Sequence, residues 1–222
     1  MRTSFRLLLS SFTAIAIAGP ALAQSTTAPA LQYAEQGWSM EEREAFYTTN
    51  QGSRMIPYRW FKALRRLDVD EPFGSDQLAR YGFLPNKKSK SNPEGLPVGF
   101  VIDGDVSTGV LGPTCAACHT AQIEYQKDGV TQQLRIDGAP ALIDFQSLLN
   151  DLTDATRETL KDEGRFDKFA QAVLGPRYSG SRAAALKNDV NDWFKKWANF
   201  MDKGLPPHTG AGADRRFRHD LR

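Results

Sequence analysis

Both cysteines of this 222-residue chain fall inside one pentapeptide, Cys115-Ala116-Ala117-Cys118-His119. Two thiols three positions apart on a helical turn can each form a thioether with one of the two vinyl groups of haem. The adjacent His119 then offers an imidazole nitrogen to the iron as its proximal axial ligand. The pentapeptide therefore predicts one covalent haem c, held by Cys115, Cys118 and His119, and leaves no cysteine for a disulfide.

Two other interpretations of a Cys-x-x-Cys pair are a dithiol redox pair and half of a zinc site. A structural zinc site needs four ligands, and besides His119 the chain has only His208 and His219, in a polar C-terminal stretch. A thioredoxin-like pair is expected beside a strand-helix-strand pattern, which the flanking sequence does not show. Both interpretations are therefore disfavoured relative to haem.

The N-terminal residues have the pattern of a secretory signal peptide, predicted over residues 1–23. Arg2 and Arg6 supply its positive charge, residues 7–19 form its apolar part, and Ala21-Leu22-Ala23 resembles a cleavage site. The apolar run is too short to span a bilayer comfortably, although an uncleaved anchor is the alternative. We expect an exported protein of the bacterial periplasm or exterior with no stable membrane span after cleavage, which is where covalent haem is attached.

Composition sets broad limits on the function. The formal net charge is +2, and 41% of the residues are hydrophobic, as in ordinary globular proteins. Without a strong basic excess, a dedicated nucleic-acid surface is not expected. We predict one haem domain over residues 24–205, including an N-terminal extension, and a polar, disordered tail over residues 206–222.

Hydrophobic periodicity predicts a chain that is mainly α. Ser39 and Glu42 form a capping box before a helix that runs to about Thr48, and Asp128-Gly129 is typical of a hairpin turn. Further helices are predicted from Pro57 and over residues 139–161, 166–174 and 181–203. Besides the hairpin, only a short strand within residues 99–106 is expected.

Several short motifs on both sides of the pentapeptide add a resemblance to a known family. They are Gln51-Gly52-Ser53, Pro57-Tyr58 with Trp60, Tyr81-Gly82-Phe83-Leu84-Pro85, Asn92-Pro93, Gly95-Leu96-Pro97-Val98-Gly99-Phe100, Thr114 to Thr120, and Ile136-Asp137-Gly138-Ala139-Pro140. Over residues 35–205 the set resembles the N-terminal haem domain of bacterial dihaem cytochromes similar to rubber oxygenase, distant relatives of dihaem cytochrome c peroxidases.

The resemblance implies a cytochrome c-like haem domain, with Cys115, Cys118 and His119 as its haem residues. In the oxygenase members, the matching haem binds dioxygen at an open distal face and the substrate is a polyisoprene. Those relatives are much longer and carry a second Cys-x-x-Cys-His. Since only one such motif occurs here, we expect a truncated product, whose last helix would leave Trp193, Trp197 and Phe200 bare.

Two functional hypotheses follow. In the first, the chain transfers electrons as a monohaem protein or is the N-terminal haem domain of a truncated dihaem oxidoreductase. In the second, it is a haem-dependent peroxidase or dioxygenase with an open distal site. The partner is a redox protein in one case and a small-molecule oxidant in the other.

The sixth iron ligand is less well defined by the sequence. The candidate side chains are those of Met40, Met55, Met201, His208 and His219, and we expect none of them to bind the iron. Whether the iron has a sixth protein ligand separates electron-transfer haems from ligand-binding ones.

Other residues have two interpretations each. Arg135 either pairs with a haem propionate or is a solvated strand residue, and Asp137 is expected in a turn. Lys87, Lys88 and Lys90 form either a docking patch for an acidic partner or a solvated loop. The large side chains that either cover the porphyrin or are simply buried are Phe145, Trp193 and Trp197.

Overall fold

The computed structural model describes residues 31–204 as a mixed α/β fold. Two three-stranded sheets lie among helices that are concentrated in the second half of the chain. In chain order the elements are β1 (Leu31–Tyr33), α1 (Met40–Thr48), β2 (Ile56–Pro57), α2 (Tyr58–Ala63), β3 (Phe100–Asp103), β4 (Val110–Pro113), α3 (Cys115–Cys118), β5 (Thr120–Lys127), β6 (Val130–Asp137), α4 (Phe145–Lys161), α5 (Glu163–Leu174) and α6 (Gly180–Gly204), with 3-10 turns at Ala79–Tyr81 and Gly175–Arg177.

The first sheet has the strand order β1-β6-β5. Strands β5 and β6 form the predicted hairpin, and its turn residues Asp128 and Gly129 both have positive φ, as a two-residue hairpin turn requires. Strand β1 pairs with β6 in parallel, with Leu31 opposite Gln133. The segment that begins the described chain therefore forms an edge of the hairpin's sheet.

The second sheet has the order β2-β4-β3 and is antiparallel. Its strands are two to four residues long and place Ile56 opposite Leu111 and Phe100 opposite Pro113. The prediction of a mainly α, cytochrome c-like haem domain with a single small hairpin is therefore wrong. Strands this short show no alternating pattern, so periodicity did not reveal the second sheet.

The main helices follow the predicted pattern more closely. The Ser39 hydroxyl accepts a hydrogen bond from the Glu42 N–H at 3.1 Å, and a Glu42 carboxylate oxygen accepts one from the Ser39 N–H at 2.8 Å. This capping box confirms the predicted start of α1. Helix α4 begins at Phe145, later than predicted, because Asp144 caps it and the segment before it is extended loop.

Two apolar clusters form the interior. The main core joins the second sheet, α2 and α4, and includes Ala117 of α3, whereas the second core lies between α5 and α6. Trp60 packs against both clusters. Ala116 packs in a third, small cluster with Tyr47 and Val98, so α3 has apolar support on two sides.

The aromatic residues of α6 are only partly bare. Trp193 and Trp197 are half-buried against the main core, and the Trp197 indole N–H donates to the Thr153 hydroxyl at 2.8 Å. Phe200 is 53% exposed. The expected bare face is therefore limited to Phe200 among these three residues. No helix within residues 31–204 combines the length and the apolar character needed to cross a membrane.

Candidate haem-attachment site

Helix α3 is a single turn whose backbone is held at both ends. The Thr114 N–H donates to the Gly99 carbonyl at 2.7 Å, and the Cys115 N–H donates to the Gln51 side-chain oxygen at 2.9 Å. At the other end, the His119 N–H donates to the Cys115 carbonyl at 2.8 Å. The pentapeptide is therefore a fixed turn between β4 and β5.

Gly99 allows the preceding segment to approach this turn. Its φ is +74°, in the left-handed region that glycine adopts readily, and a Cβ built there would lie 2.0 Å from the Ala117 nitrogen. No other residue fits at that distance. The Gly99 backbone thus forms a direct support for α3.

The side chains of the turn divide between interior and surface. Ala116 and Ala117 are buried, whereas Cys115 and His119 are exposed and Cys118 is half-buried. Both cysteines are free thiols. The three predicted haem residues are therefore brought together where a large ligand can reach them.

His119 has a defined orientation. Its Nδ1 lies 3.0 Å from the Ala139 carbonyl oxygen. A carbonyl oxygen can only accept, so Nδ1 carries a proton, and in the neutral imidazole the lone pair is then on Nε2. Metal-binding histidines are commonly oriented in this way by a bond from the other ring nitrogen. The arrangement fits a haem iron bound at Nε2.

A surface groove lies on the Gln51 side of the turn. It has a volume of about 370 Å³ and is lined by Trp38, Glu42, Ala45, Phe46, Thr49 and Gln51. Gln51 connects it to the turn, because its side-chain oxygen accepts from the Cys115 N–H. The aromatic side chains of this groove could contact part of a porphyrin, which is a large apolar body.

The alternative of a redox dithiol fits less well. Burial, and secondarily the proximity of Cys115, raises the pKa of the Cys118 thiol. Reactive dithiols have a lowered thiol pKa, so the direction of this shift disfavours a redox pair. Within residues 31–204, no three His, Cys, Asp or Glu side chains are grouped closely enough to hold a metal ion.

The structure locates three of the five candidates for a sixth iron ligand. Met55 is 6% exposed and belongs to the main core. The Met40 sulfur accepts a hydrogen bond from an Arg43 nitrogen at 3.4 Å, and Met201 packs against the main core. The remaining candidates, His208 and His219, lie outside the described residues.

Arg135 is buried and is therefore not a solvated strand residue. It is 3% exposed, and its Nη2 donates to the Pro85 carbonyl at 3.1 Å and to the Gln122 side chain at 2.9 Å. Its Nε is buried and has no hydrogen-bond partner in the described part of the chain. The pairing of Arg135 with a haem propionate stays a prediction.

Asp137 lies before a turn, as expected, but the partners of its carboxylate were not predicted. It ends β6 and precedes Gly138, whose φ of +70° turns the chain, but its side chain is fully buried. One carboxylate oxygen accepts from Arg43 Nε at 2.7 Å and the other from the Tyr47 hydroxyl at 2.5 Å. The only local pattern related to this network is that Arg43 and Tyr47 lie one turn apart on α1, which puts them on the same face of the helix.

The remaining predicted residues are three lysines and three large aromatic side chains. Lys87, Lys88 and Lys90 are all exposed on a loop, as both of their interpretations require, so their role as a docking patch stays a prediction. Phe145 is half-buried against the main core, as are the two tryptophans of α6. Their burial agrees with the periodicity and does not distinguish porphyrin contact from ordinary packing.

Comparison with known proteins gives one relative. The chain is similar to an uncharacterized protein, y4iJ, of Sinorhizobium fredii, with 35% identity over 180 residues that cover 71% of this chain and 29% of that protein. This chain thus spans less than a third of the relative's length. No family model matches the chain, and no solved structure matches it.

Proposed function

We propose that this chain is an exported c-type haem protein that carries one haem on Cys115, Cys118 and His119 and transfers electrons. The observation that supports this best is the hydrogen bond from His119 Nδ1 to the Ala139 carbonyl. That bond leaves Nε2 free beside two accessible, unpaired thiols.

Each residue of the site would have its own role in holding the haem. Cys115 and Cys118 would each be joined to one vinyl group by a thioether, an addition of S–H across a double bond that needs no oxidant. His119 Nε2 would bind the iron through its lone pair, while the Ala139 carbonyl holds the tautomer of the ring. A bound haem c would supply reversible one-electron transfer.

Haem staining of a denaturing gel tests the attachment. The mature chain is expressed in a bacterial periplasm with a c-type haem attachment system, alongside Cys115→Ala with Cys118→Ala. We expect a stained band for the wild-type chain and none for the double variant, with Lys87→Ala as a control that stains like wild type. A stained double variant, or an unstained wild type, contradicts the proposal.

A second candidate function is binding of dioxygen or peroxide at an open iron position. It is favoured by the placement of Met55 inside the core and of Met40 against Arg43, and by the resemblance to rubber oxygenase-like dihaem cytochromes. In that case residues 35–205 correspond to the N-terminal haem domain of a longer oxidoreductase.

Carbon monoxide separates the two candidates. Optical spectra of the ferrous protein are recorded with and without the gas. A rapid shift of the Soret band indicates an open iron position and supports the oxidoreductase, with peroxidase and oxygenase assays to follow. An unchanged spectrum indicates a sixth protein ligand and supports electron transfer, and replacement of Met201 then identifies or eliminates that side chain.

A further inference from the structure

The end of β6 is held by a dense set of bonds from the segment around α1. Besides the two side-chain bonds to Asp137, the Gln36 side chain bonds the Asp137 backbone twice, accepting from its N–H at 3.1 Å and donating to its carbonyl at 2.8 Å. The Ala34 N–H donates to the Arg135 carbonyl at 2.8 Å. Of these five hydrogen bonds, four are made by Asp137 and one by Arg135.

This arrangement lies two residues from the acceptor of the imidazole. Only Gly138 separates Asp137 from Ala139, whose carbonyl oxygen is 3.0 Å from His119 Nδ1. The position of the Asp137 backbone therefore limits where the Ala139 carbonyl can lie. The strand partner of Asp137 is Thr120, which directly follows His119. The end of β6 therefore pairs with the residue next to the pentapeptide.

Burying the Arg43–Asp137 ion pair costs free energy, and this favours a role in fixing geometry over a role in stability. Arg43 and Asp137 are both almost completely buried, and a buried ion pair often stabilises a fold no more than apolar residues of the same volume would. Such a pair does fix one geometry, because each charge requires its partner at hydrogen-bonding distance.

We infer that Asp137, held by Arg43 and Tyr47, is a positioning residue that sets the hydrogen bond between Ala139 and His119 and thereby the reduction potential of the haem. The inference rests on the proposed haem attachment. A strong Nδ1 hydrogen bond makes the imidazole a better electron donor to the iron. Such donation favours the ferric state, so loosening the bond raises the potential.

Tyr47→Phe tests the inference with a matched control, Tyr58→Phe. Both tyrosines are buried, and each donates its hydroxyl to one carboxylate: Asp137 for Tyr47, and Glu94 for Tyr58 at 2.6 Å. Each substitution removes one hydroxyl and one such bond. Asp137→Asn serves as a stronger variant, which keeps the size of the side chain and removes its charge.

Two measurements on the haem-loaded proteins separate positioning from simple support of the fold. Urea denaturation should show a similar loss of stability for the two Tyr→Phe variants. Spectroelectrochemical titration should show a positive shift of the midpoint potential for Tyr47→Phe, a larger one for Asp137→Asn, and none for Tyr58→Phe.

An unshifted potential in Tyr47→Phe, or equal shifts in Tyr47→Phe and Tyr58→Phe, overturns the inference and leaves the haem assignment intact. A wild-type chain that carries no covalent haem overturns the proposed function instead, and the positioning role with it. If Asp137→Asn does not fold, the comparison of the two Tyr→Phe variants still decides the question.

Discussion

Three buried tyrosines make the molecule sensitive to alkaline pH. Tyr47, Tyr58 and Tyr81 each donate a hydroxyl to a carboxylate, and burial, followed by that bond, raises the pKa of each far above its usual range. In the unfolded chain a tyrosine has a pKa of about 10. The folded form therefore keeps its phenolic protons at a pH where the unfolded form loses them.

The sign of the effect follows from proton binding. The contribution of these groups to the free energy of unfolding is complete below about pH 10 and is lost as the pH rises above it. With three more protons bound in the folded state, the slope reaches at most about 4 kcal/mol per pH unit. Urea denaturation between pH 9 and pH 12 measures it, and Tyr81→Phe should flatten the curve by about a third. Equal slopes for wild type and variant contradict the assignment.

Local sequence can suggest a candidate site, but it does not reveal side chains whose partners lie far away in the chain. Spacing alone singles out Cys115, Cys118 and His119, because the predicted haem attachment would use residues of one helical turn, and their role in it stays a prediction. The buried ion pair of Asp137 was missed, since its partner Arg43 lies 94 residues earlier in the chain. No local pattern marks Asp137 as anything but a residue before a turn glycine.

At the scale of elements, the close contact between Gly99 and α3 predicts that Gly99→Ala lowers the free energy of unfolding more than Gly129→Ala does. Gly129 has a positive φ and open space around its position, so Gly129→Ala should cost about 1 kcal/mol from backbone strain alone. Gly99→Ala adds a clash with the Ala117 backbone and should cost about 3 kcal/mol or more.

Denaturation midpoints of the two alanine variants measure these costs, and haem staining measures their effect on the site. We expect Gly129→Ala to stain like wild type and Gly99→Ala to lose most of its covalent haem. Similar midpoints for both variants would show that α3 tolerates displacement and that the close approach at Gly99 carries little energy. If Gly99→Ala yields no folded protein, limited proteolysis of the two variants makes the same comparison.

Elements with strong local signals were the predictable part of the fold. The capping box of α1, the Asp128-Gly129 turn and the apolar faces of α4, α5 and α6 were all recognised, because helix caps and hairpin turns are encoded within a few residues. Strands β1 and β2 have only three and two residues, too few for alternation to appear. Their pairing is set by distant partners, so the fold class was mistaken.

For the molecule as a whole, the packing predicts a single unfolding transition. Trp60 contacts both major clusters, its ring lies 6.2 Å from that of Trp193 on α6, and the Arg59 side chain donates to the Val173 carbonyl of α5. Because α2 and α6 bridge the clusters in this way, neither cluster can lose its packing without exposing part of the other.

Two probes followed along one urea series check this cooperativity. Tryptophan fluorescence reports chiefly on Trp60, Trp193 and Trp197, which contact the main core, and also on the exposed Trp38. Far-ultraviolet circular dichroism reports helix content. We expect both to give the same midpoint, and Val190→Ala in the second core should shift both together. A fluorescence transition that precedes the loss of helix would mean that the main core and the helices do not unfold together.

The parallel pairing of β1 with β6 has a consequence for the order in which the molecule is assembled. Gln36 and its bonding partner Asp137 are 101 residues apart, so on the ribosome the first strand leaves the tunnel long before the central strand of its sheet exists. The two thiols are synthesised between these events, before Ala139. The hydrogen bond between His119 and the Ala139 carbonyl can therefore form only after the central strand of the sheet has been made.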